Sequence, residues 1–299
     1  MKKQYHGVFH IDGTYKMTVQ GYPLIVFGVT DIQGVFHPIC FMLTSHETEI
    51  DFTTFYNGLY RQCDLMGIEF EPEFVMQDAQ ESSYNAVKKL FPNVQVLMCY
   101  YHVCENIRKK AYPLLSNRDD VYDELKAAVQ EMHLSSTEEE FEALKLEFNE
   151  SFKRFPELLS YMKTQWFEGK FCKWQIFRTL PGFATTNSNI ESFNSVIKRD
   201  FTSRKRQSIM NAINIINEII IYYSTNFKDF SLAGNFGRLR NIEINFSNFE
   251  EKSSKLKFRN SQTSKCAKYE SSKFSIFEIN ITKLQNFAIF AKISKFRIK

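Results

Sequence analysis

The chain has 299 residues, of which 43% are hydrophobic and 15% aromatic, including 30 Phe. That is apolar surface enough for one large domain or two small ones. No run approaches the ~18 uninterrupted apolar residues of a membrane span, and no long apolar segment follows the basic start Met1-Lys2-Lys3, so neither a span nor a secretory signal is expected. The net charge of +4 hides a split: residues 251–299 carry 12 Lys and Arg against 3 Asp and Glu, whereas the first 250 carry 26 against 31. The folded part is therefore mildly acidic, and the basic surplus sits in a tail suited to electrostatic contact with nucleic acid.

Residues 5–12, 22–30 and 34–43 are rich in Val, Ile, Phe and Tyr and read as three strands. Turn signals at Asp12-Gly13, Gly21-Tyr22-Pro23 and Gln33-Gly34 separate them, which suits an antiparallel meander. Residues 49–66 predict an amphipathic helix with Ile50, Phe55, Leu59 and Cys63 or Met66 on one face. Pro72 precedes a fourth strand ending at Asp78, a helix follows over 80–90, and Phe91-Pro92-Asn93 breaks it before a fifth strand at 94–100. Three strands, helix, strand, helix, strand is the order of an RNase H-like mixed five-stranded α/β sheet flanked by helices, antiparallel first and parallel later.

From 102 to about 170 the pattern is helical and charged, with a capping-box pair at Thr137 and Glu140. Helices are predicted at 187–200 and 205–225, the second with a mostly Ile stripe over 209–220 that reads as core. The expected organisation is a first part of the catalytic core at 1–115, an all-helical insertion at 116–175, the last part of the core at 176–228, and a poorly ordered basic low-complexity tail at 229–299. Cys40, Cys63, Cys99, Cys104, Cys172 and Cys266 follow no disulfide spacing, which suits free thiols in a reducing compartment.

Three acidic residues stand in distinctive frames. Asp12 ends a strand-like run in Phe9-His10-Ile11-Asp12-Gly13-Thr14, Asp78 ends another in Phe74-Val75-Met76-Gln77-Asp78, and Glu191 lies in the helical stretch Thr186-Asn187-Ser188-Asn189-Ile190-Glu191-Ser192-Phe193-Asn194. Two carboxylates at strand tips and one on a facing helix make an acidic cup, and such a cup can hold two divalent cations, Mg²⁺ or Mn²⁺. Singly, each has an ordinary reading: Asp12 in an Asp-Gly hairpin turn, Asp78 as a helix N-cap, Glu191 as an exposed helix residue. Their joint order favours metal chemistry. Asp31, also at a strand end, reads as a turn residue.

The stretch Phe74–Asp78, with Asn85-Ala86, Phe91-Pro92-Asn93, Cys99-Tyr100-Tyr101-His102 and Glu105-Asn106-Ile107, resembles the core of Mutator-like element (MULE) transposases. The Asp12-Gly13-Thr14 and Glu191 segments are similar to that family's first and last acidic motifs, and the resemblance covers about residues 5–225. It implies a DDE/D transposase of the RNase H-like superfamily, with Asp12, Asp78 and Glu191 as catalytic triad and metal ligands. It also implies DNA as partner (transposon ends and target), a homo-oligomer, action in the nucleus, and neither a membrane nor a small-molecule substrate. Family members usually carry an N-terminal zinc-containing DNA-binding domain, whereas this sequence starts almost at the first catalytic strand, as a fragment would.

Supporting residues have paired readings. Cys99 and His102 are half of a zinc site, with Cys104 as a third ligand, or else a strand-to-helix corner; a closed zinc site needs two further ligands, and no paired motif is present. Asn187 and Asn194 orient a water or phosphate near Glu191, or Asn187 caps its helix. Lys198, Arg199, Arg204, Lys205 and Arg206 form a DNA-backbone patch or a solvated face. Trp166 and Trp174 read as core. The rival function is a domesticated, catalytically inactive transposase-derived module that binds DNA or protein; a third is a simple nuclease with the same triad.

Overall fold

The computed structural model describes residues 7–65, 67–116, 118–226, 228, 230 and 231, and the backbone of 286–290. Its centre is a mixed sheet built on β1 (Val8–Thr14), β2 (Leu24–Thr30), β3 (Phe36–Thr44), β4 (Phe74–Gln77) and β5 (Gln95–Met98). The spatial order is β5-β4-β1-β2-β3, extended at the β3 edge by β6 (Asn286–Phe290). β1, β2 and β3 form the antiparallel meander, β4 runs parallel to β1, and β5 parallel to β4. The expected RNase H-like mixed sheet flanked by helices is the fold observed.

β1 does not stop at Asp12. It continues to Thr14, with Asp12 opposite Val26 and Gly13 opposite Ile25, so Asp12-Gly13 is strand rather than hairpin turn. On β3, Pro38 is accommodated by a bulge: Phe27 faces Cys40 but Gly28 faces Pro38, which leaves Ile39 as the extra residue. Gly28 is required there, because a Cβ would collide with the His37 carbonyl and the Phe36 ring. Asp31 is a buried turn residue. Its Oδ1 accepts from the Gln33 and Val35 amides at 3.0 and 2.9 Å, and its Oδ2 faces His37 Nε2 at 3.2 Å.

Strand alternation sends residues to two helical layers. Phe9, Ile11, Ile25 and Phe27 pack with α1 (Glu49–Leu65) and α2 (Glu81–Leu90) through Phe55, Tyr56, Leu59 and Ala86. Ile50 is not part of that face; it is 75% exposed, while Phe52 and Tyr56 are buried in its stead. On the opposite face Leu24, Val26, Phe41 and Leu43 pack against α7 (Ser188–Val196) and α8 (Ile209–Thr225), whose Ile213, Ile216 and Ile219 are the expected core stripe.

The helical region comprises α3 (Tyr100–Leu114), α4 (Asp119–Leu134), α5 (Glu138–Ser151) and α6 (Pro156–Met162), the last continued by a π turn at Lys163–Phe167. Thr137 caps α5 by accepting from the Glu140 amide, and the Glu140 carboxylate returns to the Ser136 amide rather than to Thr137 itself. Leu125, Phe148, Trp166 and Trp174 belong to the same apolar cluster as Phe9 and Phe27, so this region shares a core with the sheet. Of the expected tail, Phe230 packs against that core, Ser231 donates its amide to Asp31 Oδ2 at 3.2 Å, and β6 pairs antiparallel with β3. These are the parts of the expected basic tail that the structure describes. Residues 232–285 and 291–299 lie outside the described residues.

His133 on α4 is buried, stacked on Tyr100 with ring centroids 3.6 Å apart, and its Nδ1 donates to the Trp174 carbonyl at 2.7 Å. Burial lowers its pKa to about 4, with the carbonyl bond opposing. The native state therefore holds it neutral, while the unfolded chain protonates it near 6.5. Its stabilising contribution is complete above pH 6.5 and is lost as pH falls toward 4, by up to about 3 kcal/mol. Thermal melts across that window should show this acid limb, and it should flatten in His133→Gln. A limb unchanged in the variant would assign it elsewhere.

Candidate active site

The parallel pairing of β1 with β4 sets His10 beside Met76, and that register carried two residues further puts Asp12 level with Asp78 at the same sheet end. Asp78 follows β4 directly. It does not cap α2, whose N-cap is Gln80 and lacks a side-chain cap bond. Gln77 is bound into the turn: its Nε2 donates to the Asp78 and Gln80 carbonyls, and its Oε1 accepts from Ser83. α7 lies across β1, with Asn187, Glu191 and Asn194 at i, i+4 and i+7 and so on one face. His10 and Asp12, alternate residues of one strand, both meet that face. Asn194 Nδ2 donates to Asp12 Oδ2 at 2.7 Å, and His10 Nδ1 donates to Asn187 Oδ1 at 2.9 Å.

His102, in the first turn of α3, bridges the remaining two acids. Its Nδ1 pairs closely with Asp78 Oδ1, and its Nε2 lies 3.7 Å from Glu191 Oε1. Burial works against its charge, but Asp78 and Cys99 together push its pKa up to about 11, so the ring is an imidazolium between two carboxylates. Asp12 is raised to about 7, first by burial, then by the charges of Asp78 and Glu191, with His102 and the Asn194 bond opposing. Glu191 is raised by burial and by Asp78, against the pull of His102. The structure thus brings Asp12, Asp78 and Glu191 into one electrostatically coupled group.

Asn187 is at the N-cap position of α7 but does not cap it. Its side chain instead bonds His10 and reaches the Ile11 carbonyl at 3.5 Å, while its amide donates to Cys99 Sγ at 3.1 Å. It is a tie between α7, β1 and the β5–α3 corner, and this tie stands in place of the expected helix cap. Cys104 is not in the group of ligand atoms to which Cys99 and His102 belong. Asp78 takes that place, the ligand atoms of Asp78, Cys99 and His102 lying within 4.8 Å of one another. Cys104 turns to Tyr100.

Several neighbours carried no sequence signal strong enough to single them out. Tyr15 donates to Glu47 Oε2, and a Cβ on Gly13 would strike the Glu47 carboxylate, so Gly13 makes room for a fourth acid. Asp12 and Asp78 both act on the Tyr15 hydroxyl, whose pKa is raised chiefly by burial and by Glu47. Glu47 belongs to a loop and His10 to an apolar strand, contexts in which spacing reveals no site. Of the basic cluster, Arg199 forms a two-pronged pair with Asp200, so its charge is compensated. Lys198 is half-buried close to Asp12; its pKa is lowered by burial and by Lys16 and raised by Asp12.

Asn194 Oδ1 is buried without a hydrogen bond, whereas Asp78 Oδ1 pairs with His102 Nδ1 and Glu191 Oε1 lies 3.7 Å from His102 Nε2. The carboxylates of Asp12, Asp78 and Glu191 and the Asn194 amide oxygen are hard donors of the kind Mg²⁺ or Mn²⁺ takes, so the residue types fit. No helix among the described residues is long and apolar enough to cross a membrane. Residues 8–106 match the family model of the MULE transposase domain, which spans β1 through the first turns of α3 and includes Asp12, Asp78, Cys99 and His102. A search of curated proteins returned no match.

Proposed function

We propose, from the premise that residues 8–106 are a MULE transposase domain, that the chain is a DNA transposase that cleaves DNA at transposon ends and joins them to target DNA in the nucleus. The observation that carries this reading is the meeting of Asp12, Asp78 and Glu191 in one electrostatically coupled acidic group. Asp12, Asp78 and Glu191 would hold the cations, which when bound supply positive charge to the phosphoryl oxygens and make an attacking oxygen more acidic. Asn194 fixes one Asp12 oxygen and leaves the other for a ligand. His102 pairs with Asp78 and lies 3.7 Å from Glu191, linking the two acids. The Asn187–His10 bond holds α7, and with it Glu191, against β1.

Two in-line displacements follow from one such site, first with water and then with the freed 3′-hydroxyl as nucleophile, and neither requires a covalent protein intermediate. Joining two element ends calls for at least two copies of the chain. Incubation with supercoiled plasmid carrying element ends should give nicked and joined products with Mg²⁺ or Mn²⁺ and none in chelator. Cleavage without joined products would mean a simple nuclease, and inert protein would reject catalysis.

A further inference from the structure

Two turns far apart in sequence bring Lys198 within electrostatic reach of both Asp12 and Lys16. The turn between β1 and β2 is stitched to the turn after α7: Val19 donates its amide to the Gln207 carbonyl at 2.9 Å, and Gln207 returns its own to the Met17 carbonyl at 2.8 Å. Met17 and Thr18 are buried and anchor the first turn. In the second, the Lys198 carbonyl accepts from the Arg204 amide at 2.7 Å and from Thr202 Oγ1 at 2.8 Å. Both turns hold a long basic side chain in the left-handed region, Lys16 at φ 67° and Arg204 at φ 59°. Residues with a Cβ rarely adopt that conformation unless the surroundings impose it. Among the described residues, Lys16, Lys198 and Arg204 form no ion pair, in contrast to Arg199.

We propose that Lys16 and Lys198 form a preorganised phosphodiester-binding subsite near Asp12, which grips the DNA backbone next to the bond being cut. This deepens the transposase reading and rests on it. Lys16 and Lys198 repel one another while Lys198 is half-buried, so an anion between them removes a cost the free protein bears. The bridged turns fix the two lysines relative to Asp12, so the backbone they hold has a set register against the carboxylates. Phosphate contacts of this kind position a duplex without reading its sequence.

The test is salt-dependent binding of the full chain to a fluorescein-labelled duplex, followed by anisotropy, with plasmid nicking measured in parallel. Lys16→Asn removes the charge with a residue that tolerates the left-handed region. It should reduce the slope of log K against log salt by about 0.9, and Lys16→Asn with Lys198→Gln by about 1.8. Lys153→Gln, in the turn after α5, should leave the slope unchanged, and Lys16→Arg should retain it. If Lys16→Asn fails to fold, Lys16→Gly serves, since glycine takes that φ freely. A folded Lys16 variant with the wild-type slope overturns the subsite. If that protein still nicks DNA, the transposase reading stands without it. Wild-type protein that neither binds nor nicks DNA removes both.

Discussion

Asp78→Asn should reduce metal-dependent nicking by at least about 10²- to 10³-fold while leaving the fold intact. The substitution keeps size and shape but replaces a charged oxygen pair with one neutral oxygen and an amide. Asp78 is part-exposed at the end of β4 and supports no core contact through its carboxylate, so the melting temperature should change little. A second readout separates loss of chemistry from loss of structure. His102 owes much of its raised pKa, about 11, to Asp78, so an NMR titration should find it well below that value in Asp78→Asn. Nicking at the wild-type rate would remove Asp78 from the catalytic group. Lost nicking with an unmoved His102 would show that the Asp78–His102 pair is not formed in solution.

Trp166→Ala should cost about 3–5 kcal/mol, the usual range for truncating a buried aromatic, and lower the melting temperature by about 10 °C in a chain of this size. Trp166 is fully buried, its Nε1 donates to the Tyr161 hydroxyl at 2.9 Å, and its carbonyl accepts from Trp174 Nε1 at 2.9 Å. The indole lies in the cluster that runs from Phe9 and Phe27 of the sheet to Phe148 of α5. Because sheet and helical region share this core, calorimetry should show one transition shifted as a whole. An early separate transition in the variant would instead show that α4, α5 and α6 melt independently of the sheet.

The sequence by itself determined the succession of strands and main helices, and it singled out the three acids that the fold brings together. These rest on local signals: alternating apolar runs, Pro and Gly breaks, and motif frames that keep their meaning without tertiary contacts. The Ile stripe of α8 and the Thr137 cap were legible for the same reason, since period and cap chemistry are properties of a few adjacent residues. Asp12-Gly13 misled because the same dipeptide suits a tight turn and a strand end, and only pairing with Val26 and Ile25 decides between them.

Tertiary structure alone decided what surrounds the acids. Asn187 and Asn194 stand 177 and 182 residues from the side chains they bind, a separation over which no spacing rule operates. His102 became the bridge between Asp78 and Glu191 because the β5–α3 corner turns toward α7, and Cys104 left the cluster because the same corner points it to Tyr100. Glu47 comes from a loop, and its carboxylate fits beside Gly13 only because that residue lacks a Cβ. Charge placed by long-range packing, rather than residue type, is what makes these neighbours part of the site.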